Sequence, residues 1–170
     1  FMQPRVSDTF FAEDMESQGA IEVELEGKGW YVDNSITLNQ SIFLQTKPMN
    51  LPQGVYKIIV HHQTEGDGTR VNFSSDKVTY RLIAGRQDMK LNSGYATTEY
   101  EIHLTEGQEA FKVEFQFAED GYAWISSVDV MQLWNMERVN AFYTVVVICI
   151  TELLFVFIKR DAFSNLLKKQ

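Results

Sequence analysis

Polar and apolar residues alternate over much of this chain. In residues 20–26, Ile21, Val23 and Leu25 fall on one face of a strand and Glu22, Glu24 and Glu26 on the other. The same period of two turns Thr98, Tyr100, Ile102 and Leu104 inward over residues 97–104. It is cleanest over residues 110–118, where Phe111, Val113, Phe115 and Phe117 oppose Lys112, Glu114 and Gln116. Further strands are predicted at 41–46, 55–63, 70–74, 77–84, 122–125 and 127–133, separated by turns such as Gly27-Lys28-Gly29, Pro52-Gln53-Gly54, Thr105-Glu106-Gly107 and Glu119-Asp120-Gly121. Eight or nine strands, with turns about every 8–12 residues and no helical period before residue 134, predict an all-β sandwich or barrel over residues 9–133. One polar face per strand favours two antiparallel sheets packed face to face.

The pattern changes at residue 139. Residues 139–158, VNAFYTVVVICITELLFVFI, hold one formal charge, Glu152. As a helix they span about 30 Å, the thickness of a bilayer core, and they are too long for a buried strand. Lys159 and Arg160 follow at once, which by the positive-inside rule puts this end in the cytoplasm, while Trp134 and Tyr143 sit near the opposite interface. The expected organisation is a lead-in over 1–8, an extracytoplasmic sandwich over 9–133, a juxtamembrane link over 134–138, a transmembrane helix over 139–158 and a basic cytoplasmic tail over 159–170. The chain starts at Phe1 without a signal peptide, yet its polar domain must cross a membrane, so it is expected to be a segment of a longer protein.

Charge sharpens this division. The chain carries a formal −8, but residues 1–138 hold 11 Lys/Arg against 21 Asp/Glu, and residues 139–170 hold 4 against 2. An acidic outer domain excludes a nucleic-acid binder, which needs a basic stripe. The single cysteine, Cys149, lies in the apolar run, so disulfide frameworks and multi-cysteine zinc sites are excluded. An outer domain without cysteine suits a bacterial surface. There is no nucleophile elbow, zincin helix, P-loop or dinucleotide fingerprint, so no catalytic residue is assigned. His61 and His62 are strand neighbours pointing to opposite faces and do not share a metal ion.

Three segments carry a resemblance. Pro52-Gln53-Gly54-Val55-Tyr56-Lys57-Ile58 resembles the strand entry of galactose-binding-like jelly rolls, the fold of many carbohydrate-binding modules. Phe11-Ala12-Glu13-Asp14 resembles their opening strand, and Ile125-Ser126-Ser127-Val128-Asp129-Val130 their closing one. A jelly roll followed by a membrane helix is similar in layout to extracytoplasmic domains of bacterial multi-pass, glycosyltransferase-like membrane proteins. The resemblance implies a structural calcium between first and last strands, with Glu13, Asp14 and Asp129 at the matching positions, against the plainer reading that Asp129 caps a turn or faces water. It also implies sugar binding through aromatic platforms. Trp30, Tyr31, Tyr95, Tyr122 and Trp124 are the candidates, against the reading that aromatics fill the core. Trp30 and Tyr31 are adjacent on a strand, so one of them faces away from the core. The implied partners are carbohydrate, the lipid bilayer and other transmembrane helices, which Glu152 would face unless it snorkels to the headgroups.

Overall fold

A computed structural model describes residues 7–36, 41–66, 69–76, 89–117 and 121–167, the backbone alone for 89–90, 134–138 and 160–167. Twelve strands and one long helix lie among them: β1 (Ser7–Phe11), β2 (Met15–Ser17), β3 (Ile21–Glu24), β4 (Lys28–Asp33), β5 (Ser41–Thr46), β6 (Met49–Leu51), β7 (Gly54–Glu65), β8 (Thr69–Ser74), β9 (Met89–Lys90), β10 (Gly94–Leu104), β11 (Gln108–Phe117), β12 (Tyr122–Asn135) and α1 (Met136–Leu167). A single 3-10 turn, Ala12–Asp14, joins β1 to β2.

The strands form two antiparallel sheets, as the alternation predicts. The first runs β10-β7-β12-β4-β3, and the second runs β2-β5-β11-β8-β9 with β6 also on β11. Strand β12 is the spine of the first sheet. One side pairs with β7 along most of its length, and the other is shared by β4 at residues 122–125 and β1 at 127–131. The expected break between 122–125 and 127–133 is a bulge at Ser126 within one strand, whose hydroxyl donates to the His61 carbonyl. Residues 134–138, expected as a link, are the end of β12 and the start of α1. The predicted strand at 77–84 lies outside the described residues.

The core fills the space between the sheets. Phe43, Phe73, Phe111, Phe115 and Phe117 enter from the second sheet and Tyr56, Ile58, Val60, Ile102, Ile125, Val128 and Val130 from the first. His62 continues the inward row of β7 and is fully buried. Its Nε2 lies 2.8 Å from Thr98 Oγ1, while Nδ1 has no hydrogen-bond partner. Burial disfavours its charged form and lowers its pKa to about 4, with neighbouring His61 adding to the effect.

Strand β3 departs from the simple pattern. Its pairing sets Ile21 beside Tyr31 and Val23 beside Gly29, so its apolar side joins the outer face of the first sheet instead of the core. Ile21 and Leu25 are 53% and 55% exposed. Period two fixes which residues share a face, but at this edge strand the pairing with β4 decides which way that face turns.

Helix α1 forms a unit of its own, separate from residues 1–135. Val139–Lys159 is long and apolar enough to cross a membrane, and the protein does not cover its side chains. Thr144 and Thr151 donate to the carbonyls of Asn140 and Val147, one turn back, so their hydroxyls are satisfied within the helix. Glu152 and Cys149 are exposed on it.

Candidate functional site

Cross-strand register assembles the site. Tyr95 on β10 pairs with Gln63 on β7, Gln63 with Trp124 on β12, Trp124 with Tyr31 on β4, and Tyr31 with Ile21 on β3. Directly paired residues share a face, so these five strands carry one row across the outer side of the first sheet. The next row holds Glu65, Tyr122 and Asp33. Four of the five aromatic candidates therefore meet on one face. Trp30 is on the other side, packed against the core, with its Nε1 donating to the Ala12 carbonyl at 2.9 Å.

The four rings form two stacked pairs. Tyr31 and Tyr122 have centroids 5.8 Å apart with planes at 27°, and Tyr95 and Trp124 have centroids 6.5 Å apart at 28°. Their exposure differs sharply. Tyr95 is 64% exposed, Tyr31 and Tyr122 are half-buried, and Trp124 is 1% exposed although it faces away from the core. Gly29 explains how Trp124 lies so flat. A Cβ there would overlap the indole Nε1 and Cε2 and lie 2.8 Å from the Ile125 carbonyl oxygen. The indole thus occupies the space that a side chain at residue 29 would need, and its Nε1–H has no hydrogen-bond partner. Trp124 is the floor under Tyr95, not an open platform.

Polar groups edge the rings. The Tyr31 hydroxyl donates to Asp33 Oδ2 at 3.0 Å, and Ser35 donates to Asp33 Oδ1 through its hydroxyl at 2.6 Å and its backbone N–H at 2.8 Å. The Ser35 donors hold the Asp33 carboxyl below its usual pKa. Burial raises the Tyr31 pKa, the bond to Asp33 adds to this, and Glu65 is close enough to contribute. Gly121 starts the turn into β12 with φ +111, and a Cβ there would collide with the Glu65 carbonyl. Further along the face, His61 Nε2 lies 2.9 Å from Asp129 Oδ2, and Thr9 donates to Asp129 Oδ1 at 2.8 Å. Lys57 forms an ion pair with Glu99.

Of the residues matched to a calcium site, Asp129 and Asp14 have protein partners of their own. Asp129 takes Thr9 and His61, Asp14 lies 3.3 Å from Lys47 Nζ, and Glu13 lines a shallow depression with Phe11, Ala12 and Lys28. Among the described residues no three His, Cys, Asp or Glu side chains group as a metal centre.

The sequence reading missed Gln63, Glu65, Asp33 and Gly29. Alternation does place residues 31 and 33 together, and 63 with 65. The register that brings those two pairs to the same patch comes from β12 threading between β7 and β4.

No protein-family model and no curated protein matches this chain. Solved structures do. The C-terminal CBM6 of a marine laminarinase from Zobellia galactanivorans matches with TM-score 0.53 at 15% identity, covering 75% of this chain and 100% of that one. A CBM6 carbohydrate-binding module from Cellvibrio mixtus lichenase 5A, in complex with cellotriose, matches with TM-score 0.52 at 14% identity, covering 75% and 98%. The second N-terminal cellulose-binding domain of Cellulomonas fimi β-1,4-glucanase C matches with TM-score 0.54 at 18% identity, covering 77% and 95%. The sandwich therefore has the jelly-roll β-sandwich fold seen in carbohydrate-binding modules.

Proposed function

We propose that the sandwich is a non-catalytic, extracytoplasmic carbohydrate-binding module held at the cell membrane by α1, serving as an accessory domain of a multi-pass membrane protein that handles cell-surface glycans. A shared fold alone does not assign function, so the reading rests on the site. The observation that carries it is the gathering of Tyr31, Tyr122, Tyr95 and Trp124 as two stacked pairs on one sheet face. Sugar rings present apolar C–H faces to aromatic rings and hydroxyls to side chains such as Gln63, Asp33 and Glu65. From β10 to β4 the face spans three inter-strand steps, about 14 Å, enough for an oligosaccharide and not merely one ring. One of the modules with this fold was solved with cellotriose bound.

The membrane reading rests on Val139–Lys159, with Lys159 and Arg160 setting the cytoplasmic end. Glu152 within that span calls for a polar partner in the bilayer, which other helices of the same protein would supply. A second reading, an assembly surface for another protein, is favoured by the exposure of Phe11, Ile21 and Leu25 on the sandwich.

A glycan array probed with the full chain in lipid nanodiscs separates the two. The first reading expects binding that falls about tenfold in Tyr122→Ala, the loss of one stacked aromatic contact. No binding to any glycan removes it and leaves the second.

A further inference from the structure

Among the described residues, the charge at the aromatic end of the first sheet's outer face is negative. Asp33 and Glu65 flank Tyr122 from either side in the same row, and both lie close enough to act electrostatically on Tyr31. The Tyr31–Tyr122 stack thus sits between two carboxylates. Among the described residues, register places one Lys or Arg on this face, Lys57, and it is six residues along β7 from Gln63, about 20 Å away, and already paired with Glu99. Among the described residues the charge at the aromatic end is therefore anionic: the carboxylate of Glu65 and that of Asp33, which already accepts from Tyr31 and Ser35, beside the Gln63 amide and the ring faces. The donors there are neutral: the Gln63 amide N–H groups, the Tyr95 and Tyr122 hydroxyls, and the buried Trp124 Nε1–H, which has no partner.

Resting on the glycan-binding reading, we propose that this site selects an amino sugar: the ring stacked on Tyr31 and Tyr122 carries a protonated amine that Asp33 and Glu65 receive. The chemistry suits such a cation on two counts. A protonated amine makes charge-assisted hydrogen bonds to carboxylates. The faces of tyrosine rings attract cations. A uronate or sulfated sugar would meet like charge from both sides and, among the described residues, find no unpaired cation within reach. A neutral sugar would satisfy only part of the acceptor set. The outer domain as a whole is acidic, 21 Asp/Glu against 11 Lys/Arg in residues 1–138, and this adds a field that draws cationic glycans from a distance and repels anionic ones.

The test compares three oligosaccharides of one linkage and length: glucosamine, its fully N-acetylated counterpart and an oligouronate. Each is titrated into the full chain in lipid nanodiscs at about pH 6, where the amine is protonated. The expected result is glucosamine bound about tenfold more tightly than the acetylated form, with the oligouronate weakest. The preference should shrink as salt rises from about 50 to about 500 mM. Glu65→Gln and Asp33→Asn should each weaken the glucosamine oligosaccharide about fivefold and leave the acetylated one unchanged. Glu65→Gln is the variant to rely on if Asp33→Asn disturbs the Ser35 turn, with near-ultraviolet circular dichroism checking both folds. Acetylated or uronate sugar bound as tightly as glucosamine would overturn the amine assignment and leave glycan binding standing. A preference for glucosamine that survives in both variants would also overturn it, tracing the preference to the general field. No binding of any of the three would overturn this inference and count against the glycan reading beneath it.

Discussion

Burial of His62 predicts a sandwich that loses stability as pH falls from about 6.5 towards 4. The residue is fully buried and its pKa falls to about 4, against about 6.5 in the unfolded chain. Above pH 6.5 the ring is neutral in both states and costs nothing. Below it the unfolded chain takes up a proton that the folded chain refuses, so stability falls as pH falls from 6.5 towards 4. At pH 5 the expected loss is about 2 kcal/mol, from a slope of about 1.4 kcal/mol per pH unit below 6.5. For a sandwich of this size that lowers Tm by about 8 °C. The assay is thermal unfolding of the full chain in nanodiscs, followed by near-ultraviolet circular dichroism at pH 7.5 and pH 5. In His62→Gln, which has no titrating group and keeps a polar atom for Thr98, the drop between the two pH values should largely vanish. An equal drop in His62→Gln would refute the reasoning, as would a wild-type Tm unchanged between the two pH values.

Two other positions give separate tests. Gly29→Ala puts a Cβ where the Trp124 indole lies, so it should cost about 1–3 kcal/mol of overpacking, shift the Trp fluorescence to longer wavelength and weaken glycan binding, whereas a variant with native fluorescence and Tm would contradict the packing described. If Val139–Lys159 spans a bilayer beside partner helices, as proposed, Glu152→Leu should reduce the protein's abundance or assembly by removing an intramembrane contact, and unchanged folding, abundance and activity would sink that contact.

The legible and the illegible parts of this fold have different physical origins. Alternation along 110–118 named the Phe111, Val113, Phe115 and Phe117 row because a strand with one side on the core writes that face into every second residue. The long apolar helix was legible for a similar reason, since some twenty residues with almost no charge suit a hydrocarbon span. Strand β3 was legible as a strand, but its apolar side lies with Tyr31 and Gly29 on the outer face, because an edge strand answers to its neighbour and not to a core. The aromatic candidates were visible one by one. Their union depends on β12 pairing with β7 and β4 at once, a long-range register that no local pattern encodes. For the same reason Asp33 and Glu65, 32 positions apart in the chain, gave no sign of flanking one ring stack. Gly29 read as half of a Gly-Lys-Gly turn, and its role under Trp124 is visible only in three dimensions.

Sugar binding on the outer face of the first sheet, as proposed, can be read from two indole groups on opposite sides of it. Trp124 Nε1–H lies on that face without a partner, while Trp30 Nε1–H is tied to the Ala12 carbonyl on the core side. Indole N–H resonances of the full chain in nanodiscs, followed while a bound oligosaccharide is titrated to saturation, distinguish them. The Trp124 resonance should shift progressively while the Trp30 resonance stays in place. A shift at Trp30 with Trp124 unmoved, or saturation with neither moving, would contradict binding on that face.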